Sequence, residues 1–199
     1  MLRALLIFLV LLGLGGAALL LATAPKRLEQ ADIAGLTPDL AVGEQVFLAG
    51  GCASCHAAPD ATRKTRLVLT GGRSFVSDFG TFYAPNISPD PVAGIGGWGA
   101  LDLVNAMRFG TSPDGRHYYP AFPYSAYQRA SLQDIVSLFA YLQTLPATDT
   151  PNRAHQVKFP FSIRAGVGLW KLLYLDQAWI LQDALTPRLE RGRYLVEAL

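Results

Sequence analysis

The short run Cys52-Ala53-Ser54-Cys55-His56 holds the residues with the clearest chemistry in this sequence. It has the form C-x-x-C-H, the signature by which c-type haem is attached. Two thiols at this spacing lie close enough to form thioether bonds with the two vinyl groups of one haem, and the adjacent imidazole is then held beneath the iron as the proximal ligand. The motif therefore predicts one covalently bound haem c, held by Cys52, Cys55 and His56.

Other uses of the two cysteines fit the sequence less well. Cys52 and Cys55 are the only cysteines in the chain, and a disulfide across this spacing would be strained. A thioredoxin-like redox pair needs a βαβ context, which the surrounding residues do not show. A zinc site needs two further ligands, and the remaining histidines, His117 and His155, are not paired with another ligand at short spacing.

Composition narrows the class of protein further. The 199 residues are 51% hydrophobic and 16% charged, and the formal net charge is +2. This length allows one or two small domains. The sequence has no basic stripe, so we expect no nucleic-acid partner.

The apolar excess is concentrated near the N-terminus. Residues 4–24 contain no charged residue, with Arg3 before them and Lys26-Arg27 after them. Such a stretch is long enough to cross a bilayer as a helix. A cleaved signal peptide is the alternative, because Ala22-Thr23-Ala24 has the small residues of a cleavage site. We predict a retained anchor over residues 1–25 that places the rest of the chain outside the cytoplasm, although the flanking charges alone favour the opposite orientation.

Helical patterns dominate the residues that follow a predicted tether over 26–37. Capping residues and apolar side chains at a 3.6-residue spacing predict five further helices. These helices cover residues 39–49, 100–109, 131–145 and 162–175, and a last stretch that begins at Thr186-Pro187. No segment shows a strand pattern, so we predict an all-α haem domain over residues 38–147.

Two features within that domain carry further expectations. Gly43 and Phe47 lie four residues apart on the first predicted helix, and a small residue followed by an aromatic one suits close crossing by a second helix. Residues 57–97 are rich in Gly, Pro, Ser and Asp and are too many for an ordinary connector. We expect them to wrap a large apolar object, which the haem would be.

Residues 148–199 are predicted to be a Pro-containing linker followed by a helical extension. The helix at 162–175 carries its apolar residues on one side and Arg164 and Lys171 on the other; the apolar residues are Ile163, Val167, Trp170 and Tyr174. The apolar side is expected to pack on the haem domain, with a membrane surface or a partner as the alternatives. The last helix contains GRYLVEA (192–198), spaced like GEQVFLA (43–49), which suggests the start of a truncated second haem domain.

Several segments together resemble one known family, the membrane-bound multihaem cytochrome c subunits that accompany bacterial periplasmic dehydrogenases for alcohols, gluconate or aldehydes. The matching segments are GGCASCH (50–56), NISPD (86–90), GIGGW (94–98), DGRHYYPAFPYSAY (114–127) and SLQDIVSLFAYLQTLP (131–146). RGRYLVEAL (191–199) resembles the lead-in to the next haem domain of that family. The resemblance implies a class I-like cytochrome c domain that passes electrons from a partner dehydrogenase toward quinone or a terminal oxidase.

One position departs from the family's pattern. The family often has a methionine inside the Pro-x-x-Pro-Tyr segment as the sixth ligand of the iron, and this chain has Phe122 there. Phenylalanine cannot bind a metal, so Phe122 is expected only to line the haem. His117 in the same loop is the predicted sixth ligand, which would lower the reduction potential. Met107 on the helix at 100–109 is a second alternative, and an open position is the third.

Three further residues are predicted to contact the haem. Arg73 and Arg108 are candidate partners of the haem propionates, because a guanidinium group pairs well with a carboxylate. Trp98 is a candidate hydrogen-bond donor to a propionate, with simple core packing as its alternative role. None of these assignments requires a catalytic residue.

The sequence therefore predicts a membrane-anchored c-type cytochrome with its haem domain on the periplasmic side of the cytoplasmic membrane. It is expected to carry single electrons in a respiratory or dehydrogenase-linked chain and to act as an electron-transfer protein, not as an enzyme in its own right. Expected partners are the membrane and redox proteins: a dehydrogenase, a quinol-oxidising complex or a terminal oxidase. The chain is also a candidate subunit of a larger membrane complex. The alternative is a haem enzyme or gas-binding protein, because Phe122 leaves the sixth position open.

Overall fold

Helices make up most of the regular structure in residues 1–183 and 186–199, the part of the chain that this computed structural model describes. The helices are α1 (Leu2–Ala22), α2 (Leu40–Ala49), α3 (Cys52–His56), α4 (Ala100–Phe109), α5 (Tyr124–Tyr127), α6 (Leu132–Leu142), α7 (Ala165–Tyr174) and α8 (Pro187–Glu197). A 3-10 turn covers Gln30–Ile33, and the strands are β1 (Ser74–Ser77), β2 (Gly80–Tyr83) and β3 (Gln156–Val157). Residues 184 and 185 of the predicted extension over 148–199 lie outside the described residues.

The helices predicted from capping and apolar spacing are confirmed, with small differences at their ends. The carboxylate of Asp39 accepts hydrogen bonds from the backbone N–H groups of Ala41 and Val42 at the start of α2. The hydroxyl of Ser131 accepts one from the backbone N–H of Asp134 at the start of α6. These side chains satisfy backbone donors that the first turn of a helix leaves unpaired.

The prediction of an all-α fold is wrong in one region, because β1, β2 and β3 form a small antiparallel sheet in that order. Ser74 pairs with Tyr83 in the β1–β2 hairpin, and Gly80 pairs with Val157 in the β2–β3 ladder. The strands have only two to four residues each. A two-residue periodicity has no room to become visible in segments this short, so the fold is mostly helical.

The core of the domain forms where α2, α4 and α6 pack together. A Cβ atom on Gly43 would lie 2.2 Å from the backbone oxygen of Ser137 on α6, so only glycine lets these two helices approach so closely. One turn later the buried ring of Phe47 packs on Tyr141, with ring centroids 5.4 Å apart. The predicted close crossing at Gly43 is confirmed.

Helix α1 stands clear of the rest of the protein. Among the described residues it is the one helix long and apolar enough to cross a membrane, and none of its residues is buried. A signal sequence passes the same test of length and composition. The chain that follows is held close to the domain, because the Leu28 backbone N–H donates to Asn105 (2.7 Å) and the Thr111 hydroxyl donates to the Lys26 carbonyl (2.8 Å). The predicted tether over 26–37 is therefore seated on the domain.

The C-terminal residues are also fixed to the domain. The guanidinium group of Arg129 donates to the backbone oxygens of Asp176, Ala178 and Glu197. On α8, the Tyr194 hydroxyl donates to the carboxylate of Asp134 in the first turn of α6. The side chains of Arg129 and Tyr194 thus connect the segments before and after residues 184–185 to the domain.

Helix α7 is confirmed within the predicted range 162–175, but its packing differs from the expectation. Val167 is buried and Trp170 is half-buried, whereas Ile163 and Tyr174 are exposed. The prediction that the apolar side of this helix packs on the domain is therefore correct for only part of that side. Lys171 on the helix and Arg164 just before it instead turn their side chains toward the protein.

Candidate haem site

The CASCH motif forms the short helix α3, and this conformation places its chemistry on one face. Cys52, Cys55 and His56 occupy positions i, i+3 and i+4, which share a face of an α-helix. Both cysteines are free thiols and partly buried. Burial raises the pKa of the Cys52 thiol to about 12, so this thiol is protonated at neutral pH. The arrangement brings the three predicted attachment residues together.

The ring of His56 is oriented by a single backbone carbonyl. Its Nδ1 lies 2.8 Å from the oxygen of Pro85, and the Nδ1–H group is the donor because a carbonyl can only accept. The proton is thereby held on Nδ1, and Nε2 keeps a lone pair for a metal. Burial lowers the pKa of His56, which favours the neutral ring that a metal ligand needs.

Gly71 and Asn86 bring Pro85 to the histidine. The Gly71 backbone N–H donates to the carbonyl of His56 (2.7 Å). Gly71 has φ +71, and a Cβ there would lie 2.5 Å from the backbone oxygen of Ala84, so glycine is required for this close approach. The Asn86 side chain donates to the carbonyls of Thr148 (2.8 Å) and Thr150 (3.0 Å). Sequence reasoning missed Pro85 and Gly71, because a backbone carbonyl carries no signature in the residue type.

The predicted propionate partners Arg73 and Arg108 both have an unpaired buried N–H group. The Nε atom of each is buried and has no hydrogen-bond partner among the described residues. Arg73 lines a cleft of about 370 Å³ together with Ala53 of α3 and Ala57, the residue after it, and its carbonyl accepts from the backbone N–H of Ala84, the neighbour of Pro85. A haem carboxylate beside α3 would satisfy the Arg73 donor, so the residues present fit this group.

Arg108 is placed differently. Its Nη1 atom donates to the carbonyl of Ala130 at 2.9 Å, in the loop before α6, and burial lowers its pKa. The described contacts of Arg108 therefore join α4 to that loop and do not reach α3. Of the two predicted arginines, Arg73 is the one that the structure brings to the motif.

Phe122 lies close to the motif, inside a group of tyrosine rings. Its ring centroid is 5.9 Å from that of Tyr118, 6.1 Å from Tyr124 and 6.0 Å from Tyr127. The Tyr127 hydroxyl donates to the carbonyl of Gly50 (2.9 Å), two residues before Cys52. Burial raises the pKa of Tyr127, and the nearby Cys52 and Cys55 add to the rise. Phe122 is thus connected to the cysteines through one tyrosine.

Trp98 and Met107 belong to the main hydrophobic core. Met107 on α4 is buried in it, and Trp98 is half-buried against it. This environment agrees with the packing role that was the alternative for Trp98. The sulfur of Met107 remains a predicted alternative ligand, and no described contact assigns it to another group.

His117 has both of its ring nitrogens engaged. Nε2 lies 2.9 Å from the carbonyl of Thr23, to which its N–H donates, and Nδ1 lies 3.1 Å from Nζ of Lys171 and accepts from it. His117 is buried. In this arrangement the imidazole offers no free nitrogen to an iron atom, and it joins the end of α1 to α7. The structure therefore does not bring His117 to the site as a sixth ligand.

The environment of His117 predicts a loss of stability in acid. Burial lowers the pKa of His117 from its usual 6.5, and the positive charge of Lys171 lowers it further. Below pH 6.5 the unfolded chain binds a proton that the folded chain does not, so the free energy of unfolding falls as the pH decreases. We expect His117→Gln to lose less stability than the wild type between about pH 7 and about pH 5, measured by chemical denaturation. An unchanged pH dependence would contradict this assignment.

The chain is similar to cytochromes and to cytochrome subunits of dehydrogenases. A dihaem cytochrome c-type protein of Cereibacter sphaeroides is 52% identical over 191 residues, which cover 96% of this chain and 64% of the relative. The fructose dehydrogenase cytochrome subunit of Gluconobacter japonicus is 35% identical over 165 residues, 81% of this chain and 33% of that subunit. The gluconate 2-dehydrogenase cytochrome c subunit of Pantoea cypripedii is 33% identical over 160 residues, 79% of this chain and 35% of that subunit. No family model matches the chain.

The CASCH helix carries a histidine whose ring is oriented by a backbone carbonyl, and the relatives are cytochromes and dehydrogenase subunits. Together these features place the protein in the class of c-type cytochromes. This chain belongs to the c-type cytochrome family, as its motif segments predicted. It spans 64% of the length of the Cereibacter relative and about a third of the two dehydrogenase subunits.

The prediction of a single haem is wrong. The relative that is 52% identical is a dihaem cytochrome, which points to two haems instead of one. Cys52 and Cys55 are the only cysteines in these 199 residues, so they account for the attachment of one haem. A second C-x-x-C-H motif would need cysteines that this sequence does not hold. The prediction of one haem followed from the single C-x-x-C-H motif in this sequence.

Proposed function

We propose that this chain is part of a two-haem cytochrome c subunit that carries single electrons away from a partner dehydrogenase. The observation that carries the proposal is the ring of His56, which the carbonyl of Pro85 orients beside two thiols on the same face of α3. The cytochrome subunits of fructose and gluconate dehydrogenases among the relatives support the dehydrogenase as electron donor. When bound, the haem supplies one-electron chemistry between ferric and ferrous iron.

The chain's own residues would hold the group and shape its surroundings. Cys52 and Cys55 would form the thioether bonds, and Nε2 of His56 would bind the iron. The unpaired Nε–H of Arg73 would donate to a propionate and offset its charge. The aromatic group of Phe122 with Tyr118, Tyr124 and Tyr127 would exclude water. No residue has to abstract a proton or attack a substrate, so this role is one of electron transfer.

A comparison of α8 with α2 supports the second haem. A single offset of 149 residues aligns the two helices. It pairs Gly43 with Gly192, Val46 with Leu195 and Phe47 with Val196. The three residues on α2 are buried, whereas their counterparts on α8 are exposed. Phe47, for example, is 2% exposed and its counterpart Val196 is 84% exposed. A Cβ on Gly192 would meet nothing within 4 Å. These exposed positions support a role for α8 as the first helix of a second haem domain that would cover them.

The membrane assignment rests on α1. Its length and its exposed surface, which is apolar apart from Arg3 at the first turn, support a retained anchor in the cytoplasmic membrane. Haem is attached to such motifs outside the cytoplasm, which supports a periplasmic position for the rest of the chain. A quinone, a quinol-oxidising complex or a terminal oxidase would then receive the electrons at the membrane.

Counting haems in the native protein tests the proposal. The whole protein, purified from membranes, is expected to contain two haems per polypeptide by pyridine haemochrome assay and protein mass. The peptide that contains residues 52–56 is expected to carry one of them. The purified protein is also expected to be reduced by its dehydrogenase and the reduced substrate. A preparation with no haem on that peptide, or one that no dehydrogenase reduces, would contradict the proposal.

The surroundings of Phe122 favour a second candidate function, the binding of a small gas molecule at this haem. Phe122 stands where a methionine ligand would be expected, and both ring nitrogens of His117 are engaged by Thr23 and Lys171. An iron atom with one axial position free of protein ligands binds small diatomic ligands when it is reduced.

Carbon monoxide titration separates this candidate from a carrier with two axial ligands. We expect the reduced protein to bind carbon monoxide at the haem on Cys52 and Cys55, and Phe122→Met to weaken this binding by about tenfold or more, because a thioether would compete for the iron. Phe122→Leu is the matched control and should still bind. If the wild-type protein binds no carbon monoxide at this haem, the gas-binding function is rejected and Met107 becomes the favoured ligand.

A further inference from the structure

Helix α7 turns its one charged residue toward the protein and leaves three leucines exposed, which is unusual for a helix of a water-soluble domain. The Lys171 ammonium points inward and donates to the carbonyls of Phe109 (2.6 Å) and Gly110 (2.8 Å). Leu169, Leu172 and Leu173 share the opposite face and are 41%, 56% and 64% exposed. A surface helix of a soluble protein turns its apolar stripe toward the core and its charges toward water. We call these three leucines the outer face of α7.

Arg164, which precedes α7, follows the same inward direction. Its Nη1 atom donates to the carbonyl of His117 (2.7 Å), and its guanidinium group lies over the ring of Tyr119 at 4.6 Å. Neither positive charge of this segment therefore interrupts the outer face. The lysine and arginine are satisfied by protein groups, and the leucines are left exposed.

The outer face lies beside the point where α1 ends. A Cβ on Gly168 would be 2.4 Å from the backbone oxygen of Thr23, the residue after α1. The same oxygen accepts the hydrogen bond from His117. Gly168 thus lets α7 pack directly against the end of the apolar helix, one residue before Leu169. The exposed leucines begin where the proposed membrane span stops.

The residues around the outer face have the composition of a membrane interface. Phe159, Phe161 and Ile163 come just before α7 and are exposed, and Tyr174 at its C-terminal end is also exposed. Exposed Lys26 and Arg27 follow the end of α1 after three further residues. Aromatic residues favour the headgroup level of a bilayer, and cations there attract anionic lipids. An apolar patch of this kind on a soluble surface marks an interaction site.

We propose that the outer face of α7 and residues 159–163 lie in the headgroup and acyl-chain boundary of the membrane that α1 spans. This inference rests on the proposed membrane anchoring by α1. Lipid is favoured over a protein partner because the patch begins where Gly168 meets Thr23 at the end of α1, and because the exposed cations Lys26 and Arg27 follow that helix within a few residues. The membrane would thereby be contacted at two places, through one transmembrane helix and one helix lying in its surface.

This second contact would fix the height of the candidate haem site above the membrane. Trp170 on α7 packs against Tyr124, with ring centroids 6.3 Å apart, and Tyr124 packs on Phe122. Lys171 binds the carbonyl of Gly110 at the start of the same loop. A helix resting in the membrane surface would therefore hold the loop that faces the haem, which a single tethering helix could not do alone.

Fluorescence quenching by lipid tests the inference on the full-length haem protein in nanodiscs of phosphatidylcholine and phosphatidylglycerol. Leu172→Cys provides one thiol for an environment-sensitive label, because Cys52 and Cys55 carry the haem. Val92→Cys is the matched control, since Val92 is a 92% exposed apolar residue in the loop before α4. Lipids with a nitroxide at a shallow acyl position are expected to quench the label at 172 about threefold more than the label at 92.

Three outcomes would overturn the inference, and they separate it from the membrane anchoring itself. If the protein enters the nanodiscs but both labels are quenched equally and are equally accessible to aqueous iodide, α1 anchors the chain and α7 does not touch lipid. If the label at 172 is shielded from iodide without being quenched by lipid, protein covers the outer face. If the protein does not enter nanodiscs at all, both the anchoring and the contact by α7 are wrong.

Discussion

Replacing Cys52 and Cys55 together with serine is expected to abolish covalent attachment of the haem to this part of the chain. The two thiols share the face of α3 that carries His56, and no other cysteine is present to substitute for them. Because a serine hydroxyl does not add to the haem vinyl groups, no thioether can form. Denaturing gel electrophoresis followed by staining for haem peroxidase activity is the direct measurement on the 199-residue chain.

Two single variants make this result specific. Cys52→Ser retains one thiol and is expected to give a reduced amount of stained protein, whereas His155→Gln should leave staining unchanged. His155 accepts a hydrogen bond from the backbone N–H of Tyr83 at the hairpin and has no predicted role at the iron. Haem that stays attached in the double variant would show that the CASCH motif is not the attachment site.

Replacing Gly43 with alanine is expected to destabilise the domain by about 3 kcal/mol. The added Cβ would lie 2.2 Å from the oxygen and 2.7 Å from the carbonyl carbon of Ser137. Both are backbone atoms of α6, so the whole helix would have to move away and would lose its packing around Phe47. The free energy of unfolding from denaturant titration of the haem protein measures the change.

Gly192→Ala is the matched control, since Gly192 stands at the corresponding position of α8 and a Cβ there would meet nothing within 4 Å. In the 199-residue chain this variant is expected to be neutral or to stabilise the protein by up to about 1 kcal/mol, because alanine has the higher helix propensity. In the complete two-haem protein it should destabilise as Gly43→Ala does. Equal effects of the two variants in the 199-residue chain would contradict the described packing of α2 on α6.

Local signals in the sequence were sufficient for the longer helices and the motif, but not for the short helices α3 and α5. Asp39 and Ser131 indicate the starts of α2 and α6, because each side chain accepts a hydrogen bond from a backbone N–H two or three residues later. Gly43 and Phe47 indicated the helix crossing, since a small and a large residue four apart mark one face. These features depend on neighbours in the chain, and a single sequence shows them directly.

The remaining features depend on residues far apart in the chain. Pro85 orients His56 through a backbone carbonyl, a group that every residue possesses. The need for glycine at position 71 arises from its contact with residues 84 and 85, which the local sequence does not show. His117 was a reasonable ligand until its partners, Thr23 and Lys171, were known. The inward direction of Lys171 is equally invisible in a helical pattern, because that pattern records which residues share a side and not which side faces water.

The connection between α1 and the domain is made almost wholly by backbone groups. His117 binds the carbonyl of Thr23, Thr111 binds the carbonyl of Lys26, and Asn105 binds both the N–H and the carbonyl of Leu28. Apart from Leu28, which packs against the core, and Thr23, which is buried, side-chain identity in this stretch is therefore free to vary over evolution, while the number of residues between 23 and 28 is not. Homologous chains should show many substitutions but no insertions or deletions there, and grafts of a foreign N-terminal helix should succeed only when that count is preserved.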